Sequence, residues 1–306
     1  SARAGIGAGT RGGIAAGTRV LPLLDFFGGL LDLQQRQIRV LHANSFIEDP
    51  TRIYRAVRFA VRLGFEIEPQ TEGYIRYAIE SGVYDRSLVE NSKAPALQTR
   101  LKAELKYILQ APYWASALQM LASLGALKCL HSTLELNHKL WWQVRLVDRW
   151  LRRFDLEKTL IHWQMRLEVL IAYVAPEYRA KVAENLQLSV DSISRLKHLA
   201  QAQESVVEAL PRCKLNSEVV GVLRQYELPT LMLIAVQSGR SMRRQIWQYF
   251  TVWANIQAPL NGNDLKALGY KPGPQYREIL DALLAATLDG VVSDRATAEA
   301  FLAENF

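Results

Sequence analysis

The chain has 306 residues, a net charge of +7 and 49% hydrophobic residues, with a pI near 9.4 and a mean hydropathy of −0.03. That length suits two domains or one elongated helical assembly, and the basic balance is compatible with a polyanionic partner. No apolar run approaches the roughly 18–20 residues that a bilayer crossing needs, so no membrane partner is expected. His42, His131, His138, His162 and His198, with Cys129 and Cys213, stand at no metal-ligand spacing, which leaves out a His/Cys metal site. Two distant cysteines and no apolar leader predict free thiols in a reducing, cytoplasmic setting.

Along the chain, residues 1–20 read as low-complexity and disordered, a Gly/Ala/Arg-rich stretch. Six glycines fall within the first 19 positions, AGTR occurs twice, and no Asp or Glu precedes Asp25. Gly7, Gly9 and Gly12 match G-x-G-x-x-G, but no strand precedes them and no clear helix follows, so the match fails its context. Residues 21–47 read as a connector, with Leu24–Leu33 (LDFFGGLLDL) and an extended segment over 38–41.

Asp49-Pro50 is a helix start, because Asp caps orphan N–H groups and Pro suits the first helical position. Gly64 is the stop, which predicts a helix over Pro50–Leu63. Projected at about 100° per residue, Ile53, Ala56, Val57, Phe59, Ala60, Val61 and Leu63 form an apolar arc. Arg55, Arg58 and Arg62 lie opposite. Arg52 falls on the margin of the arc, where a charge needs a partner, and Asp49 is within reach as an i,i+3 ion pair. Two readings fit these residues: a capped helix with a solvated basic face, or an Asp49/Arg52 donor–acceptor edge with Arg55 and Arg58 handling phosphates.

Further helices are predicted over residues 70–80, 87–110 with a break near Pro95, 113–124, 140–154, 159–173, 176–186, 189–209, 216–226, 229–236, 241–256, 263–268 and 275–289. Alternating patterns are nearly absent, so the fold class is all-α with short connections. Within 95–110, Arg100 and Glu104 are spaced for an i,i+4 salt bridge. In the helix over 140–154, Arg145, Arg149, Arg152 and Arg153 share one face, and Trp142, Leu146 and Trp150 are assigned to the other. The basic face reads either as a solvated surface or as an electrostatic track for an RNA backbone. Arg240, Arg243 and Arg244 form a second cluster of the same kind. Trp141, Trp163, Trp247 and Trp253 are expected in packing.

Three segments in order carry a resemblance. Glu48, Asp49, Arg52, Arg55, Arg58 and Phe59, followed by Leu63-Gly64-Phe65, closely resemble the neck motif of class II tRNA nucleotidyltransferases. These are the CCA-adding and A-adding enzymes, with the related bacterial poly(A) polymerases. Leu24–Leu33 looks like that family's head-to-neck connector, and Thr99–Leu109, with Arg100 and Glu104, like its later helix motif. Asp264, Leu265, Gly269, Pro272 and Gly273 resemble the tail of bacterial members.

The resemblance implies an elongated multi-helix assembly: connector 21–47, neck 48–110, body 111–257 and a tail 258–306 that contacts tRNA. It implies that Asp49 and Arg52 pair with the base of ATP or CTP, that Arg55 and Arg58 also contact the nucleotide, and that Glu48, Arg100 and Glu104 support them. The partner implied is the 3′ end of tRNA, with Arg145, Arg149, Arg152 and Arg153 as candidates for RNA contact. It implies Mg²⁺ held by paired carboxylates in a head domain N-terminal to Asp25. No such pair precedes Asp25 in this sequence, so no catalytic and no metal-binding residue is assigned. The chain is expected to be a fragment, inactive alone, that keeps nucleotide selection and RNA binding. A non-catalytic helical RNA-binding module and a helical protein-interaction scaffold are the competing readings.

Overall fold

The structure, a computed structural model, describes residues 24–82, 95–155, 157, 159–271 and 273–306. The expected disorder of residues 1–20, the segment 87–94 of the third predicted helix, and Pro272 lie outside the described residues. Among the described residues the chain forms sixteen α-helices, three short 3-10 turns and one two-stranded parallel ladder. No single helix among them is long and apolar enough to cross a membrane.

Helix α1 (Gly29–Gln35) is started by Asp25, whose carboxylate accepts the Gly29 and Leu30 N–H groups, each at 2.8 Å. Those backbone donors hold the Asp25 carboxyl below its usual range. The reading of 21–47 as a plain connector missed this helix. Strand β1 (Gln37–Ile38) pairs in parallel with β2 (Glu66–Ile67). The strand therefore starts one residue earlier than the predicted extended segment and ends three residues earlier.

Between the strands lie α2 (Ser45–Glu48) and α3 (Thr51–Leu63). Helix α3 ends where expected: Gly64 takes φ 67° and donates its N–H to Ala60 O, a conformation that a side chain rarely adopts. Its start is one residue later than predicted, yet the Asp49 carboxylate still accepts the first helical N–H, from Thr51 at 3.0 Å. Next come α4 (Pro69–Glu80), α5 (Pro95–Gln110) and α6 (Trp114–Ser123). Tyr54 fastens α3 to the turn after α6, its hydroxyl donating to Ala126 O at 2.8 Å.

The remaining helices follow the predicted order with shifts of one to three residues at most ends. They are α7 (His138–Phe154), α8 (His162–Ala172), α9 (Pro176–Asn185), α10 (Val190–Ala209), α11 (Asn216–Leu223), α12 (Leu228–Gln237) and α13 (Arg240–Thr251). One apolar core runs unbroken from Phe46 to Ile246. Two buried ion pairs cross it. Arg166 donates through Nε to Asp148 at 3.0 Å and through Nη1 to Leu109 O, so α5, α7 and α8 meet at one guanidinium. Arg195 on α10 pairs with Glu168 on α8 at 3.2 Å, and burial pushes the Glu168 carboxyl up despite Arg195 and the Ser192 hydroxyl.

The tail contains α14 (Gly262–Ala267), α15 (Pro274–Leu288) and α16 (Arg295–Asn305). The last was not read from the sequence; Asp294 caps it by accepting Thr297 N–H at 2.9 Å. The tail has its own core of Leu260, Leu265, Ile279, Leu283, Val292 and Leu302, among others. It is tied to the body by Ser217, whose N–H and hydroxyl both donate to Asp289, at 2.9 and 2.6 Å.

Candidate functional site

Helix α3 lies against α5, and Asp49, Arg55 and Arg58 meet Arg100 and Glu104 at that contact. Glu104, only 7% exposed at its side chain, accepts from Arg55 Nη1 at 3.1 Å and from Arg58 Nε at 2.8 Å. One carboxylate therefore spaces two arginines. Arg58 is held further by two rings, Phe59 at 4.6 Å and Tyr107 at 5.4 Å from its guanidinium carbon, a cation–π arrangement. With 14% of its side chain exposed, Arg58 is not the solvated arginine that the helical projection predicts. Arg55 keeps 53% exposed. The apolar arc is also narrower than projected, since Leu63 is half exposed and Phe59 only partly buried.

Asp49 and Arg52 do not form the expected i,i+3 pair. Asp49 Oδ1 accepts from Thr51 N–H and, at 2.6 Å, from the Thr51 hydroxyl, while Oδ2 lies 3.0 Å from Arg100 Nη1. Arg52 turns the other way. Its Nη1 donates to Ser45 O at 3.1 Å, Ser45 Oγ at 2.7 Å and Glu48 at 3.2 Å. The i,i+4 bridge between Arg100 and Glu104 is not formed either, because both side chains reach across to the neighbouring element. The reason is common to both corrections. A contact between elements offers the buried Asp49 and Glu104 carboxylates more partners than their own helix surface does, and a buried charge needs several.

The result is an edge with one of each function left over. An ionised carboxylate has about four lone-pair sites. Asp49 uses two on Oδ1 and one on Oδ2, so one acceptor site remains. Among the described residues Arg52 Nε and Nη2 make no hydrogen bond, so donors remain beside it, on a side chain 42% exposed. Ser45 and Thr51, which fix the two groups, were not singled out from the sequence. Small hydroxyl residues beside a helix start carry no signal separable from ordinary capping.

The basic face of α7 is present as predicted: Arg145, Arg149, Arg152 and Arg153 are all exposed. Arg152 is committed to Asp148, whereas Arg145, Arg149 and Arg153 form no ion pair among the described residues. Trp142 does not lie on the opposite face. It is 38% exposed and stands three and seven residues before Arg145 and Arg149, spacing that puts all three on one stripe. Leu146 and Trp150 are buried as expected. In the tail, Asp264 caps α14 by accepting Asn261 N–H at 2.9 Å and pairs with Arg295 at 3.1 Å.

No group of three or more His, Cys, Asp or Glu residues among the described residues is arranged to hold a metal. Glu48, Asp49 and Glu104 are each engaged by arginine, which leaves no cluster of hard oxygens such as Mg²⁺ requires. The described residues do not fit the metal that the resemblance implies.

Comparison with known proteins agrees with the neck motif. The A-adding tRNA nucleotidyltransferase of Geobacter sulfurreducens is 32% identical over 286 residues, matching 89% of this chain and 31% of its own length. That of Halalkalibacterium halodurans is 24% identical, over 93% of this chain and 62% of its own. A solved CCA-adding enzyme in complex with CTP superimposes with a TM-score of 0.68 at 25% identity, over 92% of this chain and 66% of that one. The chain belongs to the class II tRNA nucleotidyltransferase family. The Thermotoga maritima CCA-adding enzyme complexed with tRNA shares the fold, with a TM-score of 0.70 at 24% identity. No protein-family model matches the chain. It spans about a third of the Geobacter and Aquifex relatives and about three fifths of the Halalkalibacterium one.

Proposed function

We propose that this chain is the nucleotide-selecting and RNA-holding part of an enzyme that adds CCA, or its terminal A, to the 3′ end of tRNA. The observation that carries the reading is the edge at Asp49 and Arg52, with one acceptor and adjacent donors unspent. Adenine and cytosine both present an exocyclic amine that donates beside a ring nitrogen that accepts. Guanine and uracil present a carbonyl where the amine would be, so they set acceptor against acceptor at Asp49. Arg100 and Thr51 keep the carboxylate from turning, and Ser45 and Glu48 do the same for Arg52, so the selection costs little reorganisation. Arg55, half exposed and spaced by Glu104, is the guanidinium best placed to meet the nucleotide phosphates, with Arg58 behind it.

On this reading the phosphoryl chemistry and the Mg²⁺ that it uses belong to acidic residues other than those described here. Residues 1–306 alone then bind ATP and CTP without turning them over. The tail and the α7 face hold the tRNA. A non-catalytic RNA-binding module shares that face, but has no use for a paired donor–acceptor edge.

Calorimetric titration of the chain with ATP, CTP, GTP and UTP tests the reading. ATP and CTP should bind more tightly than GTP and UTP by tenfold or more, and Asp49→Ala or Arg52→Ala should erase that preference. Equal affinity for all four would overturn it. Labelled ATP or CTP entering tRNA that lacks its 3′ end, in the presence of Mg²⁺ and this chain alone, would overturn the division between selection and chemistry.

A further inference from the structure

The body carries a cavity that the neck does not explain. A pocket of about 260 Å³ opens on the outer side of α7, lined by His138, Trp141, Trp142, Arg145, Leu146 and Arg149. It is large enough for one flat heterocycle and too small for a folded segment. Trp142 forms one wall and keeps 38% of its surface open. The ring is held by Arg243 of α13, whose guanidinium carbon lies 4.4 Å from the ring centroid. Arg243 is itself pinned, donating through Nη2 to Ser238 O at 2.7 Å and through Nε to Ala235 O at 3.3 Å. Trp141 beside it carries Arg145 at 5.8 Å.

Three features single this pocket out from an ordinary solvated helix face. Trp142, 38% exposed with Arg243 over its ring, leaves apolar aromatic surface that a folded protein would ordinarily cover. The plane is clamped from behind, so ordering it costs no side-chain entropy at the moment of binding. The charged side chains that line it are both basic: Arg145 and Arg149 flank the pocket, and neither forms an ion pair among the described residues. An aromatic platform framed by unpaired arginines is the arrangement that binds an unstacked base together with its flanking phosphates.

We infer that the α7 pocket is a stacking site for one unpaired base of the bound RNA, with Trp142 as the platform and Arg145 and Arg149 on the adjoining phosphates. This rests on the reading of the α7 face as an RNA-binding surface, and adds to it that the face recognises a single-stranded position and not the duplex alone. The site is separate from Asp49 and Arg52, so its ligand is RNA and not the incoming nucleotide.

The test compares the 306-residue chain with Trp142→Ala, Trp142→Phe and Arg145→Ala/Arg149→Ala, using fluorescence anisotropy. Three RNA probes serve: tRNA, a 12-nucleotide single strand and a blunt duplex of the same length. Trp142→Ala should weaken tRNA and single-strand binding by about tenfold, the loss expected for one base stack. It should leave the duplex unchanged, and Trp142→Phe should restore most of the loss. The double arginine variant should weaken all three probes and lower the salt slope by about two. Trp142→Ala binding the single strand as the parent does, while the arginine variant still loses affinity, would overturn the stacking site and leave the RNA-binding face standing. An arginine variant that binds every probe as the parent does would remove the face itself. Far-ultraviolet circular dichroism checks that each variant keeps its helices. Trp142 is already partly exposed, so its truncation opens no core cavity.

Discussion

Glu104 shows how much one side chain decides. Among the described residues it is the only acceptor shared by Arg55 and Arg58, and it is buried while one of its arginines is not. Breaking a buried pair by removing one partner costs about 3–5 kcal/mol. Glu104→Ala should therefore destabilise the chain by about that amount in urea titration, and should weaken ATP and CTP together. Glu104→Gln keeps the shape and one acceptor oxygen, so it should recover part of the stability. Loss of the A/C preference with unchanged overall affinity would contradict a spacing role, because that preference belongs to Asp49 and Arg52. These arginines were legible as a motif, but their partners were not. The spacing of Arg100 and Glu104 favours a bridge within α5, and only the approach of α3 makes the cross-helix pairs available.

At the scale of an element, the turn before α8 depends on Asp155. Burial works against its ionised form, but hydrogen bonds from Thr159 and Leu160, together with His162, outweigh burial and hold its carboxyl below the usual range. The Thr159 N–H and hydroxyl reach Oδ1 at 2.7 and 2.8 Å, and His162 Nε2 lies 2.9 Å from Oδ2. A carboxyl lowered in the folded state binds its proton less tightly than in the unfolded chain. Its stabilisation is therefore present at neutral pH and lost as pH falls through the folded value. The urea midpoint of the parent should drop on acidification below about pH 4, the ordinary carboxylate range. Asp155→Asn should be less stable at pH 7, by about 1–3 kcal/mol, and should lose less on acidification. An identical acid profile for the two would show that Asp155 contributes nothing there. From the sequence, Asp155 looked like a residue beyond the end of α7. Its role belongs to the next helix, seven residues on, which no local pattern announces.

For the whole molecule, the separation of two cores is the controlling fact. Residues 46–246 share one apolar interior and residues 260–302 another. The contact between α11 and α15 carries the Ser217–Asp289 and Asn216–Leu288 hydrogen bonds. Asp289→Ala removes the acceptor for two donors at that contact. The tail should then exchange its amide hydrogens faster across residues 260–305, by about tenfold for a loss of ~1.4 kcal/mol. The body core around Leu167 and Leu233 should keep its protection. Uniform acceleration across both would mean that the two cores unfold as one unit. If the tail helps to hold tRNA, the same variant should bind it more weakly with little change toward ATP.

What the sequence by itself determined is most of the helices, the stop at Gly64, the all-α class and the family, because these rest on short-range preferences and on a motif written within 20 residues. Three of the described helices escaped it: α1 buries no side chain, α2 is a single turn, and α16 presents a weakly amphipathic face. What only the tertiary structure decided is who pairs with whom. Asp49 finds Arg100, Arg52 finds Ser45 and Glu48, Glu104 spaces two arginines, and Trp142 faces outward. Each of these depends on which neighbour supplies the missing partner for a desolvated charge or an open ring. That neighbour lies up to about a hundred residues away, as Arg243 does from Trp142, beyond the reach of any helical period.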